Sequence, residues 1–166
     1  MEHGDDLGAV RLFAGFTPDE LAMLGSRATR RSVAKGHVFF RLGDANRSLF
    51  VLTRGAVQVE RLGTSEKVLI AGLRPGQSFG EMSFLDGSRA TATVTASETS
   101  DAYEISHPAL VALLAERPEL CAKFWRNLAL ELKARLVETN KLVDDYADVQ
   151  QVLIDNPDLR EACIRA

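Results

Sequence analysis

The chain has 166 residues, 46% of them hydrophobic and 26% charged, with a formal net charge of −3. That length holds one compact domain plus an appendage rather than two full domains. The charge gives no general attraction for nucleic acid, and no run approaches the about 18 consecutive apolar residues of a membrane span.

The first ten residues, MEHGDDLGAV, carry neither a basic nor an apolar signal region. They are expected to form a flexible acidic tail, residues 1–9, of a cytoplasmic protein. Cys121 and Cys163 stand in helical-looking sequence with no Cys-x-x-Cys pair, which fits a reducing compartment. Residues 10 to about 27 read as helical. Thr17-Pro18-Asp19-Glu20 is a capping box with proline at the first helical position, and Leu21 and Leu24 follow at helical spacing. The one basic cluster, Arg27, Arg30, Arg31 and Lys35, reads as a solvated strand face.

From about 28 to 105 the period changes to two. Val38, Phe40 and Leu42 alternate with Phe39 and Arg41. Leu49, Val51 and Thr53 alternate with Phe50 and Leu52, and Val57 and Val59 with Gln58 and Glu60. Glycine turns at Gly36, Gly43, Gly55, Gly63 and Gly76 punctuate the runs, and residues 91–96 and 100–105 supply two more strands. This spacing is that of a β-barrel or jelly roll.

Helix returns after residue 105. Ser106 can cap a short helix carrying Leu110, Leu113 and Leu114, and Arg117-Pro118 interrupts it. A long helix can then run from about Pro118 to Ile154, spanning roughly 55 Å at the helical rise. Trp125, Leu128, Leu132, Leu142, Tyr146, Val149 and Leu153 follow a heptad-like spacing that Arg135 and Thr139 interrupt. The pattern suggests a coiled coil with a second copy of the chain, with a helix folded back on its own barrel as the alternative. Asn156-Pro157-Asp158 ends this helix and can cap a short final one over 155–166.

The order helix, short-stranded barrel, short helix, long helix resembles the cyclic-nucleotide-binding domain over roughly residues 10 to 140. The run from Phe79-Gly80-Glu81-Met82-Ser83-Phe84 through Gly87-Ser88-Arg89-Ala90-Thr91-Ala92-Thr93-Val94 looks like that family's phosphate-binding cassette. Leu12 to Phe16, Phe40 to Asp44 and Leu49 to Val57 are supporting matches. The resemblance implies an α+β, mainly β fold: a double-stranded β-helix (jelly-roll) barrel flanked by one N-terminal helix and C-terminal helices. Its domain would occupy residues 10–117, with the long helix over 118–154. It also implies a pocket of Phe79, Gly80, Glu81, Met82, Ser83, Arg89, Ala90 and Thr91 for cyclic AMP or cyclic GMP, with no other cofactor.

In such a cassette Gly80 permits close backbone approach, and free N–H groups at the start of the short helix favour an anion. Glu81 would accept a hydrogen bond from the ribose hydroxyl, and a family arginine would pair with the phosphate. Aligned without a gap, that arginine position falls on Ala90, and Arg89 stands one place early. In extended chain a one-residue offset can send a side chain to the opposite face. A shortened cassette with Arg89 as the phosphate ligand therefore stays open beside a degenerate pocket. In the family a threonine at the position of Thr91 favours guanine, while a plain β-former is the alternative.

An enzyme is not expected. His3, His37 and His107 are scattered, and no Gly-x-Ser-x-Gly, His-Glu-x-x-His or P-loop sequence appears. Direct DNA binding is not expected either, because the dozen residues after the long helix cannot supply a helix-turn-helix. The leading expectation is a dimeric regulatory module that senses a cyclic nucleotide and relays the signal to an unidentified protein partner. The alternative is a dimeric scaffold with a degenerate pocket, binding a protein or another nucleotide such as a cyclic dinucleotide.

Overall fold

A computed structural model describes the backbone of residues 6–62 and 67–155, and the side chains of 6–61 and 68–141. The expectations for residues 1–5 and 156–166, Cys163 included, lie outside the described residues. So do the side chains of Leu142, Tyr146, Val149 and Leu153 in the heptad reading.

A 3-10 turn, Arg11–Phe13, leads into helix α1, Pro18–Gly25. The capping box forms as read: Thr17 N donates to Glu20 Oε2 at 2.7 Å, and Glu20 N donates to Thr17 Oγ1 at 3.3 Å. Eight strands follow: β1 (Ala28–Val33), β2 (Val38–Phe40), β3 (Ser48–Arg54), β4 (Val57–Leu62), β5 (Lys67–Leu73), β6 (Ser78–Phe79), β7 (Thr93–Ala96) and β8 (Ser100–Ser106). A short helix, α2 (Glu81–Asp86), is inserted between β6 and β7, and α3 (His107–Glu116) and α4 (Pro118–Asp155) close the described chain.

The strands form two antiparallel four-stranded sheets, ordered β1-β8-β3-β6 and β2-β7-β4-β5. Alternation along β3 explains how they are held together. Phe50 and Leu52 face an interior shared with Val57, Leu73, Phe79, Val94 and Ala102, and Phe39 and Phe40 pack against the same cluster. Leu49 and Val51, on the opposite face of β3, are also fully buried. Helix α3 packs on β8, and α1 packs on both β1 and α3, so this sheet is covered on its outer side.

Two strand boundaries differ from the sequence reading. β2 stops at Phe40, and Leu42 is 45% exposed, because a turn begins at Arg41. Asp44 closes it with its carboxylate, which accepts from Arg41 N at 2.8 Å, and with its own N–H, which donates to Arg41 O at 3.0 Å. β7 begins at Thr93 rather than at residue 91.

The chain up to Asn127 forms one compact unit, and the chain from Leu128 onward forms a second. Within the first, the initial turns of α4 are tied to the N-terminal turn. Asn127 Nδ2 donates to the carbonyls of Leu12 and Ala14 at 3.1 and 2.8 Å, and Lys123 pairs with Glu20 at 2.8 Å. Within the second, Arg135 pairs with Glu131 one turn back at 2.9 Å, and Thr139 Oγ1 donates to Arg135 O at 2.9 Å. Leu130, Leu136 and Val137 are exposed along it. Among the described residues no helix is long and apolar enough to cross a membrane.

Candidate functional site

The cassette run forms a continuous structural unit. Phe79 is buried and stacks on Phe50 with ring centroids 5.1 Å apart, anchoring the entrance to α2 in the barrel interior. Gly80 then takes φ +87°, where side chains are strained, and a Cβ there would lie 2.6 Å from Ser48 O and 2.8 Å from Asn46 Nδ2. Asn46 organises this contact: its Nδ2 donates to Ser48 O at 2.8 Å and to Gly80 O at 3.5 Å, and its Oδ1 accepts from Ser48 N at 3.2 Å.

Helix α2, six residues long, is capped by Gly87, whose N–H donates to Ser83 O at 3.1 Å. Glu81 and Ser83 are buried, each 4% exposed, while Met82 is 48% exposed. A carboxylate so withdrawn from water is uncommon unless it is paired or has work to do. Phe84 joins the cassette to the helices, touching His107 (5.1 Å between ring centroids), Phe124 (5.8 Å) and Trp125 (5.8 Å, stacked). Trp125, read from sequence as part of a seam toward another copy, thus stands on the cassette.

After α2 the side chains alternate. Arg89 is exposed, Ala90 is 4% exposed, and Thr91 is exposed. The backbone of Ala90 is held from both sides: Gly43 N donates to Ala90 O, and Ala90 N donates to Asp44 O, each at 2.8 Å. Arg89 turns toward the same segment, where its Nη1 donates to Gly43 O at 2.9 Å. The one-residue offset therefore has a structural counterpart: the residue at the family's arginine position is inside, and the arginine is outside.

A cavity of about 120 Å³ lies where the β2–β3 turn, the cassette and the start of α3 meet, lined by Ala45, Asn46, Arg47, Ser83, Gly87, Ser88, Arg89 and His107. Of the residues predicted from sequence, it brings together Ser83 and Arg89. Phe79, Gly80, Glu81, Met82, Ala90 and Thr91 do not line it. Sequence reasoning missed Asn46, Arg47 and His107 here. They lie more than 30 positions before Phe79, where the cassette begins, or 13 after Val94, where it ends, and no local pattern links them.

Burial holds His107 below the ordinary histidine range, and the charge of Arg47 adds to this, while a bond to the Ser48 backbone opposes it. A larger groove of about 500 Å³, lined by Arg31, His37, Phe39, Phe50 and Glu104 among others, contains no cassette residue. Its arginine is already paired with Glu104 at 2.8 Å, so the groove does not define the site. Among the described residues no group of three or more His, Cys, Asp or Glu side chains could hold a metal ion.

Two antiparallel sheets rolled around an aromatic interior, with a short helix inserted before β7 and helices at both ends, define a β-roll with flanking helices. The chain belongs to the cyclic nucleotide-binding domain family, whose model matches residues 30–117. It is 33% identical over 135 residues to the cyclic AMP receptor protein of Thermus thermophilus, covering 80% of this chain and 60% of that protein. It is also 34% identical over 139 residues to glutaminase 1 of Bradyrhizobium diazoefficiens, covering 84% of this chain and 22% of that protein. The chain thus spans between about a fifth and three fifths of the length of these relatives. Among solved structures, a cyclic nucleotide-binding domain from Methylobacillus flagellatus superposes with a TM-score of 0.78 at 27% identity, covering 87% of this chain and 82% of that one.

Proposed function

We propose that this chain is a non-enzymatic, cytoplasmic regulatory module that takes cyclic AMP or cyclic GMP at the cassette and passes the event to its C-terminal helices. The observation that carries the reading is Glu81: a carboxylate buried in the first turn of α2, beside a glycine held where any side chain would clash. Such an acceptor suits a ribose hydroxyl, and the short helix leaves N–H groups for the phosphate. Phe84 offers the route outward, since it touches both the first residue of α3 and the first turns of α4. Relay requires the ligand to prefer one arrangement of these helices over another.

Calorimetric titration with cyclic AMP and cyclic GMP tests the ligand. Binding that weakens about 10- to 100-fold in Glu81→Gln supports the reading, that being the range for a lost charge-assisted bond. No heat with either nucleotide would remove it. Hydrogen exchange across residues 106–130 tests the relay, and equal protection with and without saturating nucleotide would exclude it.

A second reading rests on a specific observation. With Ala90 buried and Arg89 exposed and bonded to the Gly43 carbonyl, the position that aligns with the family's arginine offers no guanidinium. In this reading the barrel is a scaffold for a protein partner or another nucleotide such as a cyclic dinucleotide. Both readings place a homodimer at the long helix. Leu132→Asp should then yield monomers in sedimentation, whereas an unchanged mass would remove that assembly.

A further inference from the structure

The cavity on the outer side of the cassette, lined by Ser83, Gly87, Ser88 and Arg89 of that run, plays no part in the proposed nucleotide pocket, where the ligand lies against Glu81. Its wall is positively charged and hydroxylated. Arg47 comes from the β2–β3 turn, Arg89 from the chain leaving α2, and His107 from the first residue of α3, with the hydroxyls of Ser83 and Ser88 between them. Among the described residues no carboxylate lies within ion-pair distance of either arginine. The acids nearest in sequence face backbone N–H groups instead: Asp44 accepts from Arg41 N, and Asp86 accepts from Ser88 N at 2.9 Å.

Donors remain available. Arg89 contacts Gly43 O through a single nitrogen of a guanidinium that has five N–H groups. His107 Nε2 is shielded from solvent and has no hydrogen-bond partner among the described residues; with the other ring nitrogen on the Ser48 backbone, it donates only when the ring is protonated, a form that a bound anion favours. At about 120 Å³ the cavity is well below the about 300–1,000 Å³ of pockets that enclose a whole small molecule. It fits a tetrahedral oxyanion.

We propose that this cavity is a phosphate site separate from the barrel pocket, in which Arg47 and Arg89 clasp the anion and Ser83, Ser88 and His107 complete its shell. Its ligand is free phosphate or the terminal phosphate of a small molecule whose remainder stays in solvent. The early arginine is then a phosphate ligand that works on the outer side of the cassette. A bound anion bridges the β2–β3 turn, the cassette and α3, so occupancy stiffens the cassette against the helix that would have to move.

Amide-resolved NMR titration of the full chain with inorganic phosphate, at constant ionic strength against chloride, tests this, with glycerol phosphate as a parallel probe. Saturable shifts at residues 45–47, 83 and 87–89, weakened about 10-fold or more in Arg47→Ala and Arg89→Ala, are expected. Saturation by phosphate identifies the free ion as sufficient, and saturation by glycerol phosphate alone identifies the esterified group. Shifts that stay linear with both probes, or affinities unchanged in both variants, overturn the site.

Glu81→Gln separates the two pockets. Retained phosphate binding in this variant supports a separate site whether or not cyclic nucleotide binds. A loss of phosphate affinity as large as in Arg89→Ala shows one shared pocket and overturns the proposal. Native protein that binds phosphate but neither cyclic nucleotide removes only the barrel reading.

Discussion

On the face of β1 and β8, arginines meet acids. Arg27 pairs with Glu116 at 3.0 Å and Arg31 with Glu104 at 2.8 Å, while Arg30 and Arg54 approach Asp101 at 3.6 and 2.8 Å. Around the cassette, Arg47 and Arg89 face hydroxyls, a carbonyl and a histidine. Arg27, Arg30 and Arg31 of the first group belong to the basic cluster visible in the sequence, and their charges are matched within the fold. The second is scattered along the chain, and its charges are matched by nothing described. A run of cations in sequence is thus a poor guide to where an anion can bind; the balance of charge after folding is the better one.

Substitutions can sharpen or break that contrast, and the largest effect is expected where neither face relies on charge. Gly80→Ala would force a Cβ against Ser48 O in a left-handed backbone, costing more than about 2 kcal/mol in denaturant unfolding. Parent-like stability would show that the cassette does not depend on that close approach. Asp101→Asn should cost about 1–3 kcal/mol, because it removes the one buried acid of the matched face.

The same acid carries a pH signature. The Ser32 hydroxyl, then Arg54 and Arg30, outweigh burial and hold Asp101 below the usual carboxylate range. Its folded value lies below its unfolded one, so its contribution is present above the ordinary carboxylate range and is lost as pH falls through the folded value. Asp101→Asn should flatten that part of the acid-unfolding curve. An unchanged curve would assign the acid sensitivity to another group.

Smaller effects belong to the unmatched face. Arg89→Ala should cost no more than about 1 kcal/mol, the value of one exposed hydrogen bond to a carbonyl. Arg47→Ala should stay within about 0.5 kcal/mol of the parent. It should also let the His107 titration, followed by NMR, move up toward the ordinary histidine value, since one charge holding it down is gone. A cost for Arg47→Ala as large as for Asp101→Asn would show that its charge is matched after all.

Much of the fold was legible because it rests on local signals. The Thr17–Glu20 box, the period-two runs around Phe50 and Val57, and the Arg117-Pro118 break each act within a few residues, and each appears where the sequence placed it. Leu42 failed because alternation says nothing of the Asp44 turn that ends β2. Alternation left open on which side Arg89 would fall, and it said nothing of the Gly43 carbonyl that receives the arginine. Arg47 and His107 were illegible for a simpler reason: their meeting with Ser83 and Arg89 depends on how the turn and α3 fold against the cassette.

The bond pair that holds the cassette's exit has a consequence for how such domains diversify. Gly43 N to Ala90 O and Ala90 N to Asp44 O involve only peptide groups, which nearly every amino acid supplies alike. Residue 90 can therefore change its side chain, within the room its buried position leaves, without releasing the turn. A descendant lineage could gain or discard an arginine there while inheriting the same roll, so recognition chemistry and architecture are free to evolve on separate schedules.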